Sequence, residues 1–309
     1  MPTRIFRERH FWQFSSAVEL YTQRDLTNPN DILDAFEAVG TVLEARLDMN
    51  LFFGMPDNMI DTALIWESSK MLKHRQNFST MSWAGWVGEI QWKVTEMADS
   101  WIEWHGADQT SDTITPFPVQ TRRRIRPPVP RSTVPTPVGY SILRGSTMPR
   151  LHFQTISATF TLLRPTTITK DIVSPLRKRM TGPAALSTKR PAPTDPGLIR
   201  AGIADKNGEW CGTIDLTMTY RELVGMPMEF LVMSRMSRFT EAEIEAYEQG
   251  WLPDAVEEEM SRRDYGAYNV LLVTCRDGVY YREALGRILA SAVHRALAPG
   301  PVWKDVVLG

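Results

Sequence analysis

YNVLLVTCRDGVYYRE, residues 268–283, decides the fold. Positions 270–273 are apolar without a break, so both faces of that run must be covered, as in the centre of a sheet. Asp277-Gly278 then supplies a dipeptide suited to a tight reversal, and Val279, Tyr280 and Tyr281 open a second β-rich run. The stretch is a β-hairpin. LIRAGIADKNGEWCGTIDL (198–216) repeats the device around Asn207-Gly208, and MEFLVMSRMS (228–237) supplies a further strand. LHFQTISATFTLL (151–163) also reads as a strand. Its alternation of Leu151 and Phe153 slips to Ile156, Ala158, Phe160 and Leu162, which predicts a bulge near Gln154 or Thr155.

Helical spacing flanks this sheet. Leu285, Ile288, Leu289, Ala292 and Ala296 predict a closing helix, stopped by Pro299-Gly300. Thr240 and Glu243 form a capping box for a short acidic helix. Near the N-terminus, Phe11, Phe14, Val18 and Tyr21 share one helical face. Asp31 is the expected N-cap of a second helix carrying Ile32, Phe36, Val39, Leu43 and Leu47. A third helix is expected from Asp57, with Met59, Ile60, Ala63, Leu64 and Trp66 towards the core. MSWAGWVGEIQW (81–92) places Gly85 and Gly88 among aromatic and β-branched residues, which predicts a strand with a bulge or a close backbone approach. The class is α+β: an N-terminal helical part, then an antiparallel sheet with hairpins and a closing C-terminal helix.

The 309 residues carry 43% hydrophobic and 23% charged side chains, an ordinary globular balance that excludes wholesale disorder, collagen-like repeats and a coiled-coil rod. Net charge is −1, so no global field draws the chain to nucleic acid or membrane. The charge is nevertheless uneven. Residues 121–200 hold 15 Lys and Arg against Asp171 and Asp195, a local +13, amid prolines such as those of RIRPPVPRSTVPTPVG (124–139). The expected organisation is a helical region with a Trp-rich segment over 1–108 and a Pro/Arg-rich linker over 109–150. A mainly antiparallel region follows over 151–309, with a disordered basic insertion at 164–197. No apolar run is long enough for a membrane span, and the basic start lacks a signal peptide, so the expected location is cytoplasmic. The basic run 177–190 offers a nuclear localisation signal as the alternative.

Residues with chemistry are scattered. His10, His74, His105, His152 and His294 stand far apart, and none has a second ligand at metal spacing. Cys211 and Cys275 both fall in expected strands and read as small buried hydrophobes. Phosphate-loop, dinucleotide, nucleophile-elbow and zinc-protease motifs are not found. No catalytic, cofactor-binding or metal-binding residue is therefore nominated, no cofactor is expected, and the chain is read as a non-enzyme. Six of the ten tryptophans, Trp66, Trp83, Trp86, Trp92, Trp101 and Trp104, fall between positions 66 and 104. Core packing between helices and sheet is the favoured reading, stacking on a sugar or base the rival one. Trp101 and Trp104, beside Asp99 and Glu103, are the expected exposed pair.

Three stretches together resemble one family. In VELYTQRDLTNPNDILDAFEAV (18–39), Tyr21, Arg24, Leu26 and Thr27 precede a helix. In NLFFGMPDNMIDTALIW (50–66), Phe53, Gly54 and Pro56 form an aromatic-Gly-x-Pro turn before a helix ending in Ala63, Leu64 and Trp66. MSWAGWVGEI (81–90) supplies Ser82, Trp83, Ala84, Gly85 and Trp86. In order and spacing these resemble the region that follows the HET domain in fungal heterokaryon incompatibility proteins. The resemblance implies a part in non-self recognition and programmed cell death, with another HET-type or non-self recognition protein as partner. The Leu-Ser-Tyr-x-Trp-Gly and Trp-x-Asp-x-Leu-Cys-Ile segments of the HET core do not occur in the sequence. What the resemblance implies is thus a non-catalytic regulatory or interaction module, a truncated member of the family, whose matched residues are structural. Two other classes stand beside it. One is nucleic-acid binding through residues 121–200; the other is a hydrolase or glycan-binding domain built on the tryptophans.

Overall fold

The computed structural model describes residues 2–92, 99–100, 103–104, 113–114, 141–143, 149–163, 197–236 and 267–309. Helices α1 (Pro2–Thr22), α2 (Ile32–Leu47) and α3 (Ile60–Ala63) come first. Seven longer strands follow: β1 (Leu151–Leu163), β2 (Leu198–Ala204), β3 (Trp210–Thr217), β4 (Pro227–Met236), β5 (Ala267–Arg276), β6 (Val279–Leu289) and β7 (Val302–Leu308). The class is therefore helices first and a large, mostly antiparallel sheet after them, as the sequence implies.

The sheet closes on itself. Pairing runs from β1 to β2, β3, β6, β5 and β4, and β4 returns to β1 through Pro227–Leu231 against 161–157. Closure leaves no open edge among these six strands. The interior is filled by one apolar cluster that includes Ile156, Phe160, Ile203, Trp210, Phe230 and Val270. Side-chain alternation then hands the other face of the same strands to a second core. On β4, Phe230 and Val232 point into the barrel, whereas Leu231 and Met233 join the cluster formed with the helices. On β5 the same split separates Val270 and Leu272 from Leu271 and Val273. The unbroken apolar run at 270–273 is apolar because two different cores claim its two faces.

The slip read in 151–163 has the same origin and is not a bulge. Residues 151–157 pair continuously with β7, without a register shift. Leu151 and Phe153 serve the helical core, Ile156 to Leu162 serve the barrel, and Thr155, fully buried between them, donates to the Val232 carbonyl. The register shifts that do occur lie between Ile203 and Ala204, Val232 and Ser234, and Leu272 and Val273.

Both hairpins are present. The 277–278 turn joins Arg276 and Val279 directly, with φ of 52° at Asp277 and 77° at Gly278, as a two-residue reversal requires. The loop at 205–209 is longer. Asp205 caps it by accepting from the backbone N–H groups of Asn207 and Glu209.

The C-terminal helix is a correction. Leu285 to Leu289 belong to β6, Ala290–Arg295 form a 3-10 turn, and the chain ends in strand β7. Apolar residues at i, i+3 and i+4 suit a helix, but a strand covered on both faces also accepts them, and pairing with β5 along all of 267–276 decides the outcome.

In the helical part, the predicted faces of α1 and α3 are buried. Asp31 is not the side-chain cap expected of it. Asn28 accepts from the Asn30 N–H and starts a 3-10 turn, Pro29–Asp31, that leads into α2. On α2, Ile32, Phe36 and Leu47 are buried, whereas Val39 remains exposed. Segment 81–92 is mostly not a strand: Trp83–Gly85 form a 3-10 turn, Trp86–Val87 pair with Lys73–His74, and Gln91 bridges to Glu67. The close backbone approach expected there is real, since a Cβ added at Gly85 would sit 2.2 Å from the Ser79 carbonyl oxygen. The capping box at 240–243 and the basic runs at 122–126 and 177–190 lie outside the described residues.

Candidate functional site

The three resembling stretches, separated in sequence, meet around Trp83. Its ring is fully buried and packs edge-on against Tyr21 from α1 and Phe36 from α2, with centroids 6.3 and 5.2 Å away. Its indole N–H donates to the Gly54 carbonyl at 2.6 Å, and the neighbouring Ser82 hydroxyl donates to the Phe53 carbonyl at 2.7 Å. Gly54 has φ of 77°, and a Cβ there would lie 2.9 Å from the Trp83 ring. Two requirements thus coincide at that glycine, a left-handed backbone and an indole lying against it. Tyr21 donates its hydroxyl to the Ile32 carbonyl, which fixes α1 against the start of α2.

Three further tryptophans of the helical part follow the same rule, whereas Trp210, buried in the barrel, has no acceptor for its indole N–H among the described residues. Trp66 donates to the Met81 carbonyl, Trp86 to the Thr80 carbonyl and Trp92 to the Ala63 carbonyl. A buried indole needs an acceptor for its N–H, and each of these four has one on the backbone. They are core and staple together, as the packing reading expects, and Trp86, half-buried, also lines the cavity described below. Of the expected exposed pair, Trp101 lies outside the described residues. For Trp104 only the backbone is described, paired with Phe153.

A second cluster fastens this helical part to the barrel. Arg282 of β6 is fully buried and lies over the Trp66 ring, 3.5 Å from its centroid. It donates to the carbonyls of Leu64 and Trp66, 218 and 216 residues earlier in the chain. Burial pushes its guanidinium down to about 9, which leaves it charged at neutral pH, and Glu67 works in the opposite direction. Arg287, on the same strand, pairs with Glu67 at 3.2 Å. Thr80 completes the seam: it donates to the Gly309 carbonyl and accepts from the Arg282 N–H. No motif announces these residues in the sequence, because their partners are backbone carbonyls and one carboxylate on a different element.

Beside the Trp83 cluster is a cavity of about 480 Å³. Its wall includes Arg24, Leu26, Pro29, Arg75, Trp86 and Glu89. Arg75 is only 7% exposed. Its Nε donates to the Pro29 carbonyl at 2.9 Å and its Nη1 to the Trp86 carbonyl at 2.8 Å, which braces the head group across the cavity wall. Burial lowers its pKa, and the Tyr21 hydroxyl opposes the shift. Burial raises the pKa of the Tyr21 hydroxyl, and the charges of Arg75 and Arg24 oppose that shift.

The histidines and cysteines are dispersed. Among the described residues, no group of three His, Cys, Asp or Glu side chains could hold a metal ion. His74 is bonded to the Phe78 carbonyl oxygen and packs against Trp86, and burial lowers its pKa. His105 lies outside the described residues. Cys211 is buried inside the barrel, where desolvation pushes its thiol well up. Cys275 is exposed, against the expectation that both would be buried. An aromatic disulfide reagent is therefore expected to titrate one thiol in the native protein and the second only after denaturation. Two fast native thiols would overturn the placement of Cys211.

No helix among the described residues is long and apolar enough to cross a membrane. No family model, curated protein or solved structure matches the chain.

Proposed function

We propose that this chain is a regulatory or interaction module of the kind that follows the HET domain in fungal heterokaryon incompatibility proteins. It acts without catalysis of its own, by engaging another HET-type or non-self recognition protein in the cytoplasm. The observation that carries this reading is the convergence at Trp83. The stretches at 18–39, 50–66 and 81–90, on whose order and spacing the resemblance rests, hold one another through Tyr21, Phe53, Gly54, Ser82 and Trp83. Residues distant in sequence form one packed unit, as a motif describing a single folded module requires. The barrel supports the same reading in a second way, since its interior is filled by its own side chains and function falls to the outer surface.

The test is made in a filamentous fungus that carries an intact HET-core protein. Overexpression of the chain is expected to alter the incompatibility response, and the HET-core protein is expected to co-precipitate with it. A Trp83→Ala variant is expected to lose both effects. An unchanged response on deletion and on overexpression, with no co-precipitation, would reject the role. Binding to nucleic acid that falls steeply with salt and disappears when 121–200 is removed would assign the chain to the rival class.

A further inference from the structure

The cavity beside Trp83 contains a buried positive charge without a counter-charge among the described residues. Buried ions in proteins are paired, and an unpaired one is costly. Arg75 is 7% exposed, yet it has no carboxylate partner among the described residues. Its two hydrogen bonds, to Pro29 and Trp86, use Nε and Nη1 and fix the plane of the head group. The N–H groups of Nη2 have no acceptor among the described residues, which leaves this edge of the fork to a ligand. Arg24, on the exposed end of the same wall, also lacks a carboxylate partner among the described residues. The acids nearby do not fill that role. Glu89 is engaged by Lys70 at 2.9 Å and by Gln23 at 3.3 Å, and Asp25 is solvent-exposed. Leu26, Pro29, Ile32, Trp86 and Val87 supply the apolar part of the wall, beside the polar side chains of Thr22, Gln23 and Lys70.

We propose that this cavity is a binding site for a small organic anion, one phosphate or carboxylate group on an apolar body. Arg75 receives the anion on its free edge, and Arg24 closes over it from the rim. The volume lies within the usual span of small-molecule sites, and a planar guanidinium fixed by two carbonyls is a pre-oriented receptor for a bidentate oxyanion. The site goes beyond the proposed interaction role and does not depend on it.

The purified full chain is titrated with adenosine monophosphate, phenylacetate and uncharged adenosine, followed by tryptophan fluorescence and by thermal shift. Saturable binding of the phosphate or the carboxylate probe is expected, with adenosine at least about 10-fold weaker, since a charge-assisted pair separates them. Which of the two anions binds more tightly identifies the head group. Arg75→Gln is expected to weaken binding about 10-fold or more, and Arg24→Gln a few-fold without a change in melting temperature. Because Arg75 also braces Pro29 and Trp86, the Arg24→Gln result decides the matter should Arg75→Gln fail to fold. Three results overturn the proposal: no probe binds at millimolar concentration, adenosine binds as well as the anions, or anion binding is unchanged in Arg24→Gln. The last would place the anion away from the Arg24 rim.

Discussion

Replacing Arg282 by alanine is expected to lower the unfolding free energy by about 3–5 kcal/mol, the range found when a buried charge network loses one member. The side chain makes three contributions at once. It satisfies the buried carbonyls of Leu64 and Trp66. Hydrogen bonds from a charged donor contribute about 1.5–3 kcal/mol each. Its position over Trp66 adds a desolvated cation–π contact, about 2 kcal/mol. Against these stand the cost of burying the charge and an Nε without an acceptor among the described residues, so the sum is not additive. Arg282→Met keeps the apolar stem against Trp66 and is expected to recover part of the loss. Urea unfolding followed by tryptophan fluorescence measures both variants. A loss below about 1 kcal/mol for alanine would show that Arg282 does not fasten the helical part to the barrel.

Trp83→Ala carries the second large effect, again about 3–5 kcal/mol, the usual penalty for emptying a fully buried tryptophan site. Trp83→Phe preserves the contacts with Tyr21 and Phe36 but leaves the Gly54 carbonyl without its donor, at about 1–3 kcal/mol. Gly54→Ala is expected to be costly in the wild-type background for two reasons, its φ of 77° and a methyl 2.9 Å from the indole. In the Trp83→Phe background the steric part relaxes and the backbone part remains. The two substitutions are therefore expected to be less than additive in a double-mutant cycle. Full additivity would mean that Gly54 is required by its turn alone.

Both predictions turn on contacts that differ in how legible they were. The helix faces at Phe11, Phe14, Val18 and Tyr21 and the hairpins at 207–208 and 277–278 could be read locally, because 3.6-residue spacing and turn chemistry are properties of neighbouring residues. The aromatic-Gly-Met-Pro turn and the Ser-Trp-Ala-Gly-Trp segment were visible as patterns, although nothing local says that Trp83 reaches back to Gly54. Arg75 and Arg282 carried no signal. An arginine whose acceptors are main-chain carbonyls leaves no trace in residue identity at the acceptor positions, and here the acceptors lie up to 218 residues away. The closing helix misled for a related reason. Leu285 faces the helical core, while Ile288 and Leu289 enter the barrel core, so a strand serving two cores reproduced the spacing of a helix.

By itself the sequence determined the class, the two hairpins, the order of helices before sheet, and the apolar residues that had to be buried. Each of those follows from short-range periodicity or from turn chemistry. Only the tertiary structure decided that the sheet closes through β4 and β1, that the C-terminal segment becomes strand, and that Arg75 faces a cavity while Arg282 spans the seam. Strand closure and carbonyl-bound arginines depend on pairing between elements far apart in the chain, and that pairing is set by which of two cores each face can enter.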